Sequence, residues 1–234
     1  MDANSQLSSS QVDAIDISVA LPDAEARARA ARRGRKPLAE VSVSLSNGGV
    51  SDIVVPVRVG RLLDEGSLAL PMPVDDAFDA IHDLELRVCF SLLTEMLSRR
   101  DYACAEMRGK LSAYGFRDIE IDEALRLARE RRYLDDARFS KYFIDERLRR
   151  GWGRVKIEAE LRRRGVNLDD IPGYPDEFFD EQGDLARALD ALSRKSVPAS
   201  RPREKLVRFL VSRGYSFAVA NEAVRSHLND IEVI

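Results

Sequence analysis

Three glycines recur along this chain at nearly constant spacing, each preceded at four residues by a leucine and followed at once by an apolar residue. The triplets are Leu111, Gly115 and Phe116; Leu161, Gly165 and Val166; Leu210, Gly214 and Tyr215. The glycines lie 50 and then 49 residues apart. A glycine just past the last turn of a helix adopts the left-handed conformation without a Cβ clash, and the apolar residue after it packs back on the helix. Three such stops at one period imply a tandem of helical units, each too small to bury much surface alone. Neighbouring units are therefore expected to share contacts, giving an elongated and curved array.

The apolar spacing agrees. Leu84, Val88, Leu92 and Met96, with Cys89, Leu93 and Leu97 alongside, form one broad stripe at helical period. Ala103, Met107 and Leu111 mark a second helix, and Ile121, Leu125 and Ala128 a third. The pattern returns with Phe139, Tyr142 and Phe143 behind Asp135, a helix cap, and then with Ile157 and Leu161. It returns again with Leu185, Ala188, Leu189 and Leu192, then Leu206, Phe209 and Leu210, then Phe217, Ala220 and Val224. The middle copy departs at its third helix. Asn167-Leu168-Asp169-Asp170-Ile171-Pro172-Gly173 predicts barely one turn, because proline disfavours helix at the residue before it.

Ahead of these units, residues 53–59 are β-branched, Asp64-Glu65-Gly66-Ser67 is a turn signal and Leu68-Ala69-Leu70 follows. The pattern predicts a short β-hairpin limited by Pro56, Pro71 and Pro73. Residues 1–47 have few large apolar groups and read as a disordered or weakly ordered tail, with Arg27 to Lys36 as a solvated basic cluster rather than a nucleic-acid arm. The expected fold is thus mainly α: a tail over 1–47, a hairpin extension over 48–75, and three-helix repeats over 76–133, 134–182 and 183–234.

Composition narrows function by exclusion. The net charge is −3, so the chain as a whole is no polycation. Cys89 and Cys104 sit in helical patterns and read as buried hydrophobes, and with His82 and His227 the only histidines no metal site of ordinary spacing assembles. The start lacks the pattern of a secretory leader and no apolar run would span a membrane, so a cytoplasmic protein is expected. Phosphate-loop, nucleophile-elbow and metalloprotease motifs are missing, and Gly151-Trp152-Gly153 follows no strand. No catalytic residue, metal ligand or cofactor is assigned, and the chain reads as a non-enzyme.

The informative stretch is residues 147–164. It holds Arg147, Arg149, Arg150, Arg154, Lys156, Arg162, Arg163 and Arg164 against Glu158 and Glu160, an excess of six positive charges. Arginine stems can merely cover an amphipathic helix, but the clustering in one copy, with Trp152 at its turn, also suits phosphates or an acidic protein surface. These eight cations and Trp152 form the candidate partner-binding set, although the flanking glycines favour Trp152 as a packing wedge between two helices over a binding residue.

At full length these residues carry a family likeness. Tyr133-Leu134-Asp135-Asp136-Ala137-Arg138-Phe139, then Arg149-Arg150-Gly151-Trp152-Gly153, Ile157, Glu160, Leu161 and Arg164-Gly165-Val166 resemble the central motif of the RecX family. Arg203, Glu204, Lys205, Leu206, Phe209, Leu210, Arg213, Gly214, Tyr215 and Phe217 are similar to its C-terminal repeat, and Met107, Lys110, Leu111, Gly115 and Phe116 to its first. The segment around Leu63-Asp64-Glu65-Gly66 is similar to an N-terminal extension that some members carry. The resemblance implies a cytoplasmic, monomeric protein that binds the RecA nucleoprotein filament and modulates, usually inhibits, its ATP hydrolysis, strand exchange and co-protease activity. It would do so by lodging in the filament groove.

A rival reading is a DNA-binding helical module, since helix, glycine turn and helix also make helix-turn-helix folds. The helix starts after the turns carry Asp118, Glu120, Asp122, Glu123, Asp169 and Asp170. Carboxylates there oppose major-groove reading and leave only weak, salt-sensitive contact with single- or double-stranded DNA by the middle arginines. A purely structural adaptor is the third class.

Overall fold

The structure is a computed structural model and describes residues 12–232. It is mainly helical, with a four-stranded antiparallel sheet near the N-terminus. The chain divides into two compact units. The first comprises residues up to Arg100 with Met107–Tyr133, and the second comprises Asp101–Glu106 with residues from Leu134 on.

In the first unit, β1 (Asp13–Ala20), β2 (Leu38–Leu45), β3 (Val50–Pro56) and β4 (Met72–Pro73) pair in the order β3-β2-β1-β4. Helix α1 (Ala24–Arg32) joins β1 to β2, capped by Asp23, whose carboxylate accepts the Ala26 N–H at 2.7 Å. Strands β2 and β3 form a hairpin through Asn47-Gly48, with Gly48 at φ +82° and its N–H on the Leu45 carbonyl. Along β2 every second residue, Ala39, Val41 and Val43, is fully buried. Helix α2 (Val57–Asp64) covers that face with Val59, Gly60 and Leu63. A Cβ on Gly60 would stand 2.6 Å from the Ala39 Cβ, which is how closely helix and sheet approach.

Two expectations are corrected here. Residues 13–45, read as weakly ordered, form two strands and a helix; the first eleven residues of the expected tail lie outside the described residues. The hairpin read over 53–70 does not form either. Strand β3 ends at Pro56, the rest of the first arm from Val57 enters α2, Leu68-Ala69-Leu70 forms no strand, and β3 pairs with β2 instead. The sheet closes because small side chains fill its inner face: Ala14 and Ala39 are as buried as any valine.

Helix α3 (Val74–Leu97) starts ten residues before the stripe at Leu84, and packs on α5 (Asp118–Glu130) through Leu84, Leu92, Leu93, Ile121 and Leu125, all buried. Helix α4 (Cys104–Ala113) lies between them in sequence. Cys89 and Cys104 are both buried free thiols.

Within the first unit lie two buried carboxylates, Glu85 on α3 and Glu120 on α5. Arg117 pairs with both: its Nη2 is 3.3 Å from Glu85 Oε2, and it also reaches Glu120 Oε1, which His82 faces at 3.3 Å. Burial is the largest influence on Glu85. Together with the charge of Glu120 it outweighs Arg117 and pushes the carboxyl up to about 7 from its ordinary 4.5. The folded protein therefore holds a proton that the unfolded chain releases between those values. The resulting stabilisation is complete below about pH 4.5 and is lost as the pH rises through about 7. Wild-type urea midpoints should fall between about pH 4.5 and 7 and level off above that. The Glu85→Gln variant should show a flatter profile and be ~1–2 kcal/mol more stable at the upper end. Parallel profiles for the two proteins would exclude this account.

Candidate functional site

The second unit builds its basic face on α6 (Asp136–Arg149) and α7 (Arg154–Arg163). Asp135 caps α6 by accepting the Arg138 N–H at 2.9 Å, while Asp136 accepts the Cys104 N–H at 2.8 Å. The adjacent carboxylates are thus caps for two different helices. Phe139, Phe143, Ile144, Ile157 and Leu161 form the core beneath, with Trp152 partly buried against it.

Each predicted glycine stop is a left-handed turn: Gly115 at φ +90°, Gly165 at +75° and Gly214 at +96°. In each, the glycine N–H and the N–H after it donate back into the helix. Gly165 donates to Arg162 and Val166 to Leu161, at 2.9 and 3.0 Å. Phe116, Val166 and Tyr215 are buried, as the back-packing argument requires.

The turn of the third copy also positions the basic face. Helix α9 (Pro202–Ser212) ends at Arg213 and Gly214, whose carbonyls accept the N–H groups of Gly153 and Val155 at 2.9 and 3.0 Å. Helix α7 has no side-chain cap, so the carbonyl end of one helix satisfies the amide start of another. Arg213 Nη1 adds a bond to the Arg150 carbonyl at 3.2 Å, covering the end of α6. A Cβ on Gly153 would lie 2.4 Å from Gly214 backbone atoms, so neither contact tolerates a side chain. One copy earlier, a Cβ on Gly165 would meet the Ala105 Cβ at 2.5 Å, and Arg164 pairs with Glu106 at 3.0 Å.

The third helix of the middle copy is reduced to a 3₁₀ turn at Leu168–Asp170. Tyr174, Phe178 and Phe179 follow and pack on the core in its place. The third copy is α8 (Glu181–Ser193), α9 and α10 (Phe217–Glu232), packed through Leu192, Leu206, Leu210 and Val224.

The nine candidate residues separate by environment. Arg147 is only 18% exposed and lies over the rings of Phe143 and Trp152, each 4.8 Å from its guanidinium. The Lys156 ammonium also lies over Trp152, at 4.3 Å, so two cations contact the indole. Arg164, 17% exposed, joins Glu106, Glu160 and the Phe143 ring. Arg154 pairs with Glu158 at 2.7 Å and lies over Tyr174 and Phe179. Arg149, Arg150, Arg162 and Arg163 are exposed. Arg150 pairs with Glu146, Arg162 with Glu158 at 3.1 Å and Arg163 with Glu160 at 2.6 Å. Burial tends to raise Glu158, but hydrogen bonds from Tyr174, Arg154 and Arg162 hold it below the usual range.

Glu106 and Glu146 escaped the sequence reading. Glu146 falls one residue outside the basic stretch and Glu106 almost sixty residues before its partner. The exposed pairs nevertheless cost little to exchange, since each contributes about 0–1 kcal/mol. Four arginines can therefore turn to an incoming anion while Arg147 and Arg164 stay fixed. Among the described residues no group of His, Cys, Asp or Glu could hold a metal, and no helix is long and apolar enough to cross a membrane.

The fold is that of a helical-repeat protein with a basic face on α6 and α7. A family model described as the second three-helix domain of RecX matches residues 135–171, the α6–α7 region. The regulatory protein RecX of Chromohalobacter salexigens is 38% identical over 133 residues, covering 55% of this chain and 86% of that protein. That of Vibrio vulnificus is 32% identical over 144 residues, covering 61% and 92%. A crystal structure of regulatory protein RecX matches over 80% of this chain and 93% of its own, at TM-score 0.51 and 18% identity. The chain belongs to the RecX family.

The glycine contact yields a test. Gly153→Ala should destabilise the second unit by about 2–4 kcal/mol, since its Cβ falls on backbone that cannot yield. Gly109→Ala, a helical position with open space around it, should be neutral or slightly stabilising. Equal urea midpoints for the two variants would show that the turn does not fix α7.

Proposed function

We propose that this protein binds RecA filaments and lowers their ATP hydrolysis, strand exchange and co-protease activity, so tuning recombinational repair and the SOS response. It acts in the cytoplasm as a monomer and without a cofactor. Membership of the RecX family, whose relatives are named regulatory proteins, is the observation that carries the reading. The exposed Arg149, Arg150, Arg162 and Arg163 supply contact chemistry suited to an acidic protein surface or to phosphates on the filament. Direct DNA contact by the same arginines is the second reading, favoured by their exposure and by the small contribution of surface ion pairs.

Adding the protein at equimolar levels to RecA on single-stranded DNA should lower ATP turnover. An unchanged rate with filaments verified by microscopy would overturn the proposal. Replacing Arg149, Arg150 and Arg162 with Ala should raise the concentration needed for half-inhibition roughly tenfold. Thermal stability should change little, because Arg150 and Arg162 are exposed members of surface ion pairs and Arg149 has no ion pair among the described residues. Full inhibition by that variant would move the contact off this face.

A further inference from the structure

The basic cluster at Arg27 to Lys36 is not a tail, and its place in the fold is not explained by packing. Helix α1 has nine residues and none of them is buried. Helices shorter than about 12–15 residues are marginal in water without an apolar face to bury. This one instead carries Arg27, Arg29 and Arg32, and Arg33, Arg35 and Lys36 follow it directly. The capping carboxylate of Asp23 and the favourable position of Arg29 and Arg32 at the C-terminal end help to hold the helix, but they do not account for the cations beyond it.

Part of the cluster faces a cleft of about 420 Å³ in the first unit. Arg27 and Lys36 line it from the β1–β2 connection, and Arg58 and Arg61 from α2. Tyr114, at the end of α4, lines it too, with the Lys36 ammonium 5.5 Å from its ring centre. No carboxylate lines the cleft. Arg58 pairs with Glu95 at 2.8 Å, Arg27 donates to the Pro22 carbonyl, and Arg61 has no ion pair among the described residues. All four cations are exposed. The backbone joins the parts: the Lys36 N–H donates to the Ala113 carbonyl at 2.7 Å, fixing the basic loop beside Tyr114.

We propose that this cleft binds a single strand of DNA, its phosphates on Arg27, Lys36 and Arg61 and a base against Tyr114 and the neighbouring prolines. Cations converging from separate elements around an aromatic side chain match what an unpaired strand offers, since every base has a flat face and every linkage a charge. An acidic peptide would use the cations and leave the aromatic and proline walls without a partner. The site is separate from the arginines of the second unit and does not depend on RecA.

The test uses the full chain, without RecA, and a fluorescein-labelled oligo-dT of about 30 nucleotides read by anisotropy. At about 50 mM salt the wild type should bind, and its affinity should fall as salt rises. Arg27→Glu with Lys36→Glu and Arg61→Glu should weaken binding at least tenfold and flatten the salt dependence by about two logarithmic units per unit. The same three positions carried as Arg27→Lys, Lys36→Arg and Arg61→Lys should keep most of the affinity, which separates charge from folding. Tyr114→Phe should bind as the wild type does, and Tyr114→Leu several-fold more weakly. Unchanged affinity in the charge-reversed variant, or none in the wild type, overturns the proposal. So does a charge-reversed variant that keeps its DNA affinity but no longer inhibits RecA, which would assign the cleft to an acidic protein surface.

Discussion

Everything in the repeat region depends on what a chain can do immediately after a helix ends. The last carbonyls of a helix need partners, and the chain must reverse within a few residues. Glycine at Gly115, Gly165 and Gly214 meets both needs by taking a positive φ and returning two N–H groups to the helix. The same absence of a side chain then serves packing. A Cβ at these three positions would meet Leu38, Ala105 and Lys156 at 2.2 to 2.5 Å. The residue that stops each helix is therefore also where another element approaches most closely. Conformation and packing ask for the same residue, and that is why the period is so clear in the sequence.

What the sequence made legible follows from this. Helix ends, caps and the stunted third helix of the middle copy are local decisions, taken by Gly165, Asp135 and Pro172 within a few residues of where they act. The sheet was harder to read. Alternation along Leu38-Ala39-Glu40-Val41-Ser42-Val43-Ser44-Leu45 and the Asn47-Gly48 turn are strand signals, but the inward residues are small and the pattern looks weakly apolar. The β-branched run from Ile53 carries the stronger strand signal. Its continuation from Val57 became α2, because Val59, Gly60 and Leu63 fall on one helical face that fits over Ala39. Pairing across the sheet decided the outcome, and a single-segment reading does not contain that pairing.

The basic face was legible in charge and not in role. The arginines cluster in the middle copy, but Arg147 and Arg164 lie over the Phe143 ring, and the pairs to Glu106 and Glu146 depend on the fold. The cluster from Arg27 to Lys36 shows the converse. Read as part of a weakly ordered tail, it begins in an ordered helix, its cations are exposed, and Arg27 and Lys36 share a cleft with Arg58 and Arg61 from a different element. In both places the number of charges was visible, while the question of which ones remain available for a partner is settled by neighbours distant in sequence.

The broken helix of the middle copy connects these themes. Ending the helix at Asp170 removes a regular apolar stripe from the core, and Tyr174, Phe178 and Phe179 take its place. Aromatic rings do what aliphatic residues could not. Tyr174 and Phe179 present faces to Arg154, and the Tyr174 hydroxyl binds Glu158, which in turn receives Arg154 and Arg162. One irregular connection thus both completes the core and organises the charges at the start of α7. The opposite side of that helix start is fixed by the carbonyls of Arg213 and Gly214. The middle copy departs from its neighbours because its surface is set by aromatic and backbone contacts that a third regular helix would displace.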